Sequence, residues 1–257
     1  MWVILDCMEK QILYMGDTSL NSAAGYLAGV MKHYRLSYDY LPSEARCDSA
    51  FLERSYRAVI ISDYPSANFG RGDLERLAER IQAGMGLLMI GGWESFYGAA
   101  GEYSETALKD VLPVFMMSSD DRVNCAQPCL AEKKREHPVV ADLPFDDVCP
   151  GIGGYNRVTT KPGSLEIMSS RRFRVRREAG SFAFSPVAEA EPLLVAGSFG
   201  NGRVTAFMSD VAPHWVGGLV DWGDSRVAAC AEGATPIEVG NHYARLFFQM
   251  VRWTANV

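Results

Sequence analysis

The chain has 257 residues, 48% of them hydrophobic and 22% charged, with a formal net charge of −6. That is enough apolar material to bury one large core, and the acidic balance argues against a general nucleic-acid binder. No stretch reaches the roughly 18 consecutive apolar residues of a membrane span, and the opening Met1-Trp-Val-Ile-Leu-Asp6 meets an acid with no basic leader, so a cytoplasmic protein is expected.

In chain order, two short apolar segments come first, at 2–5 and 11–15. The first is expected to be an added edge strand. The second reads as the true first strand, because Gly16-Asp17-Thr18-Ser19 follows as a turn and helix cap. Residues 22–34 then put Ala23, Tyr26, Leu27, Val30 and Met31 on one helical stripe, which completes a βα unit. A strand is expected at 36–41, a polar helical piece at 49–55, a buried strand at 58–62 and a helix at 73–83 with Gly84 as its stop. The next segment, Gly86-Leu-Leu-Met-Ile-Gly-Gly-Trp-Glu-Ser-Phe96, organises the rest. Its unbroken apolar run suits a central parallel strand covered on both faces, and Gly91-Gly92 turns the backbone where open α/β sheets place their ligands.

A short helix at 106–112 follows a glycine-containing loop, and then the texture changes. Short strands are expected at 139–140, 165–168, 173–175, 193–199 and 204–208, with a hairpin turn at Gly200-Asn201-Gly202 and a closing amphipathic helix within 236–257. The whole reads as a single domain over 1–257: α/β, a doubly wound, mostly parallel, three-layer flavodoxin-like sheet, extended by antiparallel strands from the C-terminal half. Of six cysteines, Cys7, Cys47, Cys125, Cys129, Cys149 and Cys230, only Cys125 and Cys129 lie close together; there is no C-x-x-C and no histidine at ligand spacing from that pair, so free thiols are expected and neither a metal nor a cofactor.

The elbow run, together with Ile60-Ile-Ser-Asp63, His137-Pro-Val-Val-Ala-Asp-Leu143, Gly154-Tyr-Asn-Arg-Val-Thr-Thr-Lys-Pro-Gly163, Pro192-Leu-Leu-Val-Ala-Gly197 and Gly202-Arg-Val-Thr-Ala-Phe-Met-Ser-Asp-Val-Ala-Pro-His-Trp215, resembles the putative glutamine amidotransferase family. That is a branch of the class I glutamine amidotransferase-like proteins, and the resemblance runs from about Gln11 to the end of the chain. It implies the class I fold and, in working members, a cysteine in a G-x-C-x-G elbow. Here the elbow reads Gly91-Gly92-Trp93-Glu94-Ser95, with no thiol. The strand ending at Ser62 delivers Asp63-Tyr64-Pro65 where oxyanion-hole glycines are expected, and a carboxylate there opposes a developing oxyanion. In place of a His-x-Glu pair stands Asp210-Val-Ala-Pro-His214-Trp215.

Two functional classes remain open. The first is a non-glutaminase protein that binds a small ligand or a protein partner at a strand-to-helix elbow cleft, through Asp63, Gly91, Gly92, Trp93, Ser95, Tyr155, Asn156, Arg157 and Trp215, without nucleic acid or membrane and with homo-oligomers in view. The second is a hydrolase-type enzyme using His214 with Asp210, Asp63 or Glu94. Each residue also has a plain role. Ser95 can cap the segment after it, His214 can bond beneath the C-terminal loop, and Arg157 can sit in an ion pair. Asp17, Asp63 and Asp210 all follow strands, where they either converge with His214 as metal ligands or simply cap helices and form turns. Arg172, Arg174 and Arg176 share one side of a strand, as a solvated face or as a contact for a subunit or an anion.

Overall fold

The computed structural model describes residues 11–257; the expected edge strand at 2–5 and Cys7 lie outside that range. The first half alternates as β1 (Ile12–Gly16), α1 (Ala24–His33), β2 (Tyr38–Leu41), α2 (Ser49–Glu53), β3 (Ala58–Ser62), α3 (Asp73–Ala83) and β4 (Gly86–Ile90). After α4 (Leu108–Val111) come the short strands β5 (Val114–Met116), β6 (Arg122–Asn124), β7 (Cys129–Lys133), β8 (Gly154–Asn156) and β9 (Val158–Thr160). The chain ends with β10 (Leu165–Glu178), β11 (Ser181–Pro186), β12 (Glu191–Phe199), β13 (Gly202–Phe207), α5 (Pro213–Val216), β14 (Arg226–Ala229), β15 (Ile237–Gly240) and α6 (Asn241–Ala255).

The main sheet runs β11-β10-β12-β13-β4-β3-β1-β2. Strands β2, β1, β3, β4 and β13 are parallel, while β12, β10 and β11 add antiparallel pairs. β4 is therefore central, and Leu87, Leu88, Met89 and Ile90 are all fully buried, as an unbroken apolar run requires. The amphipathic α6 packs on β4 and β13 with α1 beside it, whereas α2 and α3 pack together. The chain moves from β1 outward to β2, then crosses back to β3 and on to β4. Right-handed crossovers send α1 to one face and α3 to the other, so the topological switch falls between β1 and β3.

Besides adding the unexpected strands β5 to β9, β11 and β14, the structure departs from the expected elements in four places. Residues 138–140 form a 3-10 turn in place of a strand, because Pro138 starts it and the His137 ring accepts from the Val139 amide. The two strands expected at 165–168 and 173–175 are one, β10, whose polar middle pairs with β7 and whose far end pairs with β11 as an arm. The closing helix begins at Asn241, since the residues before it form β15. Most consequential, no helix starts at the bend after β4: Gly92, Phe96 and Gly98 all have positive φ, and the chain winds through turns until a 3-10 segment at Tyr103–Glu105. The expected strand-to-helix elbow is a strand-to-turn elbow.

Candidate functional site

Pairing register sets the site. Gly16 lies opposite Ser62, and Ser62 opposite Ile90, so Asp17, Asp63 and Gly91 leave the sheet at one level on adjacent strands, about 4.8 Å apart. The Gly91 amide in turn donates to the Phe207 carbonyl at 2.7 Å, which brings Asp210 to the same end just beyond β13. Asp17 and Asp63 adopt left-handed conformations, with φ of 55° and 45°, as short polar residues tolerate at such turns.

Asp17 lies deepest. The Tyr14 hydroxyl donates to its Oδ2, while the neighbouring Ser62 hydroxyl faces the carboxyl group and Oδ1 and Ser62 Oγ make no bond of good geometry. Asp63 accepts at Oδ1 from the Glu94 amide at 2.8 Å and also receives the Trp93 amide. Asp210 accepts from the amides of Val211 and Ala212, at 2.5 and 3.3 Å. Burial, reinforced by the mutual repulsion of the carboxyl groups, pushes Asp63 up to about 7 and raises Asp17; burial lifts Asp210 to about 6. The charges that act on Asp17 and Asp63 belong to other carboxyl groups, not to cations. Among the described residues no group of three His, Cys, Asp or Glu side chains is arranged to hold a metal ion.

The elbow beside them is locked from below. Asn156 is fully buried; its Oδ1 accepts from the Gly92 amide at 2.9 Å and its Nδ2 donates to the Gly92 carbonyl at 3.0 Å and to Asp121 at 2.7 Å. Asp121 also accepts from the amides of Tyr97 and Gly98. At Gly92, with φ of 152°, an added Cβ would come within 2.0 Å of Asp63 Oδ1, so only glycine lets the carboxylate reach the elbow amides. Ser95 does not cap the following segment: its buried hydroxyl turns back and accepts from the Asp63 amide at 2.9 Å.

The other side of the mouth is aromatic and open. Trp93 is 47% exposed, with the Arg122 guanidinium 4.4 Å from its ring centroid and the exposed His214 ring at 6.2 Å. Trp93, Asn124, Cys125, Ala126, Gly153 and His214 line a cavity of about 400 Å³. His214 sits on α5 and does not bond Asp210, whose carboxylate is held by its own downstream amides. Tyr155 and Trp215 are buried in the framework: Tyr155 donates to Glu191, and Trp215 donates to Asn124 at 2.8 Å. Arg157 forms a half-exposed ion pair with Glu191 at 2.7 Å. A larger cavity of about 600 Å³, lined by α6 residues with Arg203 and Asp142, contains none of these groups.

Sequence reasoning missed Asp121, Arg122 and Cys125. Asp121 lies in a Ser-Ser-Asp-Asp run that reads as any exposed turn, and nothing local reveals that Asn156 buries it.

A mostly parallel sheet of this order, with antiparallel strands added beyond β13 and a glycine elbow after its central strand, defines a class I glutamine amidotransferase-like protein. Residues 1–227 match the family described as Putative glutamine amidotransferase, and the chain belongs to that family. It is 25% identical to a cytoplasmic protein from Salmonella typhimurium over 95% of this chain and 98% of that one, with a TM-score of 0.73. A second cytoplasmic protein, from Salmonella typhimurium LT2, is 27% identical over 95% and 99%, with a TM-score of 0.72. A ThuA-like protein from Bacteroides uniformis shares the fold alone, at 11% identity over 95% and 90% and a TM-score of 0.50. No curated protein matches the chain. No described helix is long and apolar enough to cross a membrane.

Proposed function

We propose that this chain keeps the amidotransferase-like fold without glutaminase chemistry and binds a small ligand at the mouth formed by β1, β3 and the β4 elbow. One observation carries the reading. The amides of Trp93 and Glu94, at the elbow where a working member would gather donors around an oxyanion, already hold the Asp63 carboxylate. Trp93 also stands at the position of the absent thiol.

The ligand group that suits this mouth is a protonated amine. Two buried acceptors, Asp17 Oδ1 and Ser62 Oγ, have only each other nearby and make no bond of good geometry there, and an ammonium nitrogen bonds oxygens at about 2.8 Å, a wider spacing than a metal ion demands. The test uses methylammonium chloride against sodium chloride at equal ionic strength. The wild-type melting temperature is expected to rise with the amine, and Asp63→Asn to lose that response. Release of ammonia from glutamine, abolished by Glu94→Ala, would overturn the reading.

The hydrolase reading, with His214 acting on Asp210, Asp63 or Glu94, has no hydrogen-bonded acid–imidazole pair to support it among the described residues. His214→Ala should leave the amine response in place. The two Salmonella relatives carry the description cytoplasmic, which supports the same compartment for this chain. We place self-association on the β10–β11 arm, where Phe182 and Phe184 are 66% and 60% exposed. Gel filtration of Phe184→Asp tests it by a shift to the monomer volume.

A further inference from the structure

The mouth lacks a thiol on its elbow, yet one reaches it from another element. Cys125 follows β6 and lines the 400 Å³ cavity together with Trp93 and His214. Cys129 opens β7 and is 1% exposed. Adjacent residues of one segment hold both backbones: the Cys125 amide donates to the Gly153 carbonyl at 2.8 Å, and the Ile152 amide donates to the Cys129 carbonyl at 2.8 Å. The two thiols also lie near enough for each to shift the other's ionisation.

This geometry points to a two-cysteine redox site in which Cys125 is the attacking thiol, open to the cavity, and Cys129 is its buried resolving partner, with a hydroperoxide as the substrate class. In the first step the Cys125 thiolate attacks the near peroxide oxygen. The O–O bond breaks, Cys125 becomes a sulfenic acid, and the rest of the peroxide leaves as an alcohol or water after taking a proton. In the second step the Cys129 sulfur attacks the Cys125 sulfur, the S–O bond breaks, and the hydroxyl leaves as water with the Cys129 proton. Two thiols are oxidised to one disulfide, and one peroxide is reduced by two electrons.

The surroundings divide the two roles. The neighbouring Cys129 thiol and the Arg172 guanidinium hold the Cys125 thiol below its usual range, against burial and Glu191. The same contact and burial push Cys129 up, so it keeps its proton until Cys125 has reacted. The remaining described thiols have no such arrangement: Cys47 is buried and held above its usual range, Cys149 is exposed but also raised, and Cys230 donates to the carbonyls of Ala231 and Ala234. The inference does not depend on what the carboxylate side of the mouth binds.

Trypsin cuts after Arg122 and Lys133, so both cysteines fall on one peptide, residues 123–133. The reduced full-length chain is treated with a few equivalents of hydrogen peroxide, alkylated with iodoacetamide and digested. The expected result is peptide 123–133 lighter by two hydrogens and unalkylated, with Cys47, Cys149 and Cys230 still alkylated. In Cys129→Ser, Cys125 should accumulate as a sulfenic acid trapped by dimedone. In Cys125→Ser, Cys129 should stay alkylatable after unfolding. Without peroxide, iodoacetamide should label Cys125 at least about tenfold faster than the more exposed Cys149. Oxidation of Cys149 before the pair, or dimedone labelling of Cys125 in Cys129→Ser no greater than that of Cys149, overturns the proposal. Far-ultraviolet circular dichroism of both serine variants separates loss of chemistry from loss of fold.

Discussion

On the β1–β3 side of the mouth, three carboxyl groups sit on turns fixed by backbone hydrogen bonds, and their surroundings raise all three. On the β6–α5 side, Trp93, Arg122, His214 and Cys125 are open or half-open and meet through ring faces and a cavity wall. The first side is made by strand register, so each atom's place follows from the sheet. The second is made by loops that return from distant parts of the chain. Chemistry that needs fixed acceptors belongs on the first side, and chemistry that needs access belongs on the second.

The largest effect is expected at the seam between them. Gly92→Ala places a Cβ against Asp63 Oδ1 in a backbone region that only glycine adopts freely. Urea unfolding should show a loss of about 3 kcal/mol, and an unchanged midpoint would mean that the carboxylate does not fill the elbow. Asn156→Ala comes next. It leaves the Gly92 amide and carbonyl buried without their partner and removes one of the two donors to Asp121 Oδ1, at a cost of about 2 kcal/mol by the same measurement.

The acid side also makes a prediction about pH. A carboxyl whose value is higher folded than unfolded binds more protons in the native state, so stability is greatest below the unfolded value and falls as pH rises through the folded one. With Asp63 at about 7 and Asp210 at about 6, against an ordinary 3.8, the melting temperature should decline between about pH 4 and pH 7. Asp63→Asn keeps an acceptor for the Glu94 amide while removing the charge. It should flatten that decline and melt about 3 °C above wild type at pH 8. A parallel decline in the variant would show that Asp63 is ionised throughout.

The first side was legible in the sequence and the second was not. Alternation of apolar runs with amphipathic segments located β1, β3, α3 and β4 closely, because propensity, periodicity and glycine stops agree there. Asp17, Asp63 and Asp210 stood out because each follows such a strand. The turn after β4 misled because Gly91-Gly92 permits either a helix or a wound loop, and Asp121 and Asn156, which decide it, lie about 30 and 64 residues downstream. Ser169 to Arg172 looked like a break in β10 because their pairing with β7 and the Arg171–Glu132 ion pair are long-range. Cys125 and Cys129 stood out as the one close pair among six cysteines but read as free thiols, since only the fold brings Cys125 to Trp93.

The smallest expected effect on stability discriminates best between the two sides. Trp93 is half exposed and touches Arg122 and His214 without a hydrogen bond from its side chain, so Trp93→Ala should change unfolding by no more than about 0.5 kcal/mol. Its amide stays on Asp63, so the pH profile of melting and the methylammonium response should persist. The cavity wall, by contrast, loses its largest group, and Cys125 becomes more open; its alkylation by iodoacetamide should quicken about threefold while Cys149 is unchanged. A Trp93→Ala protein that loses the amine response but keeps the wild-type alkylation rate would place the ligand on the aromatic side of the mouth and reverse the division of labour drawn from the register.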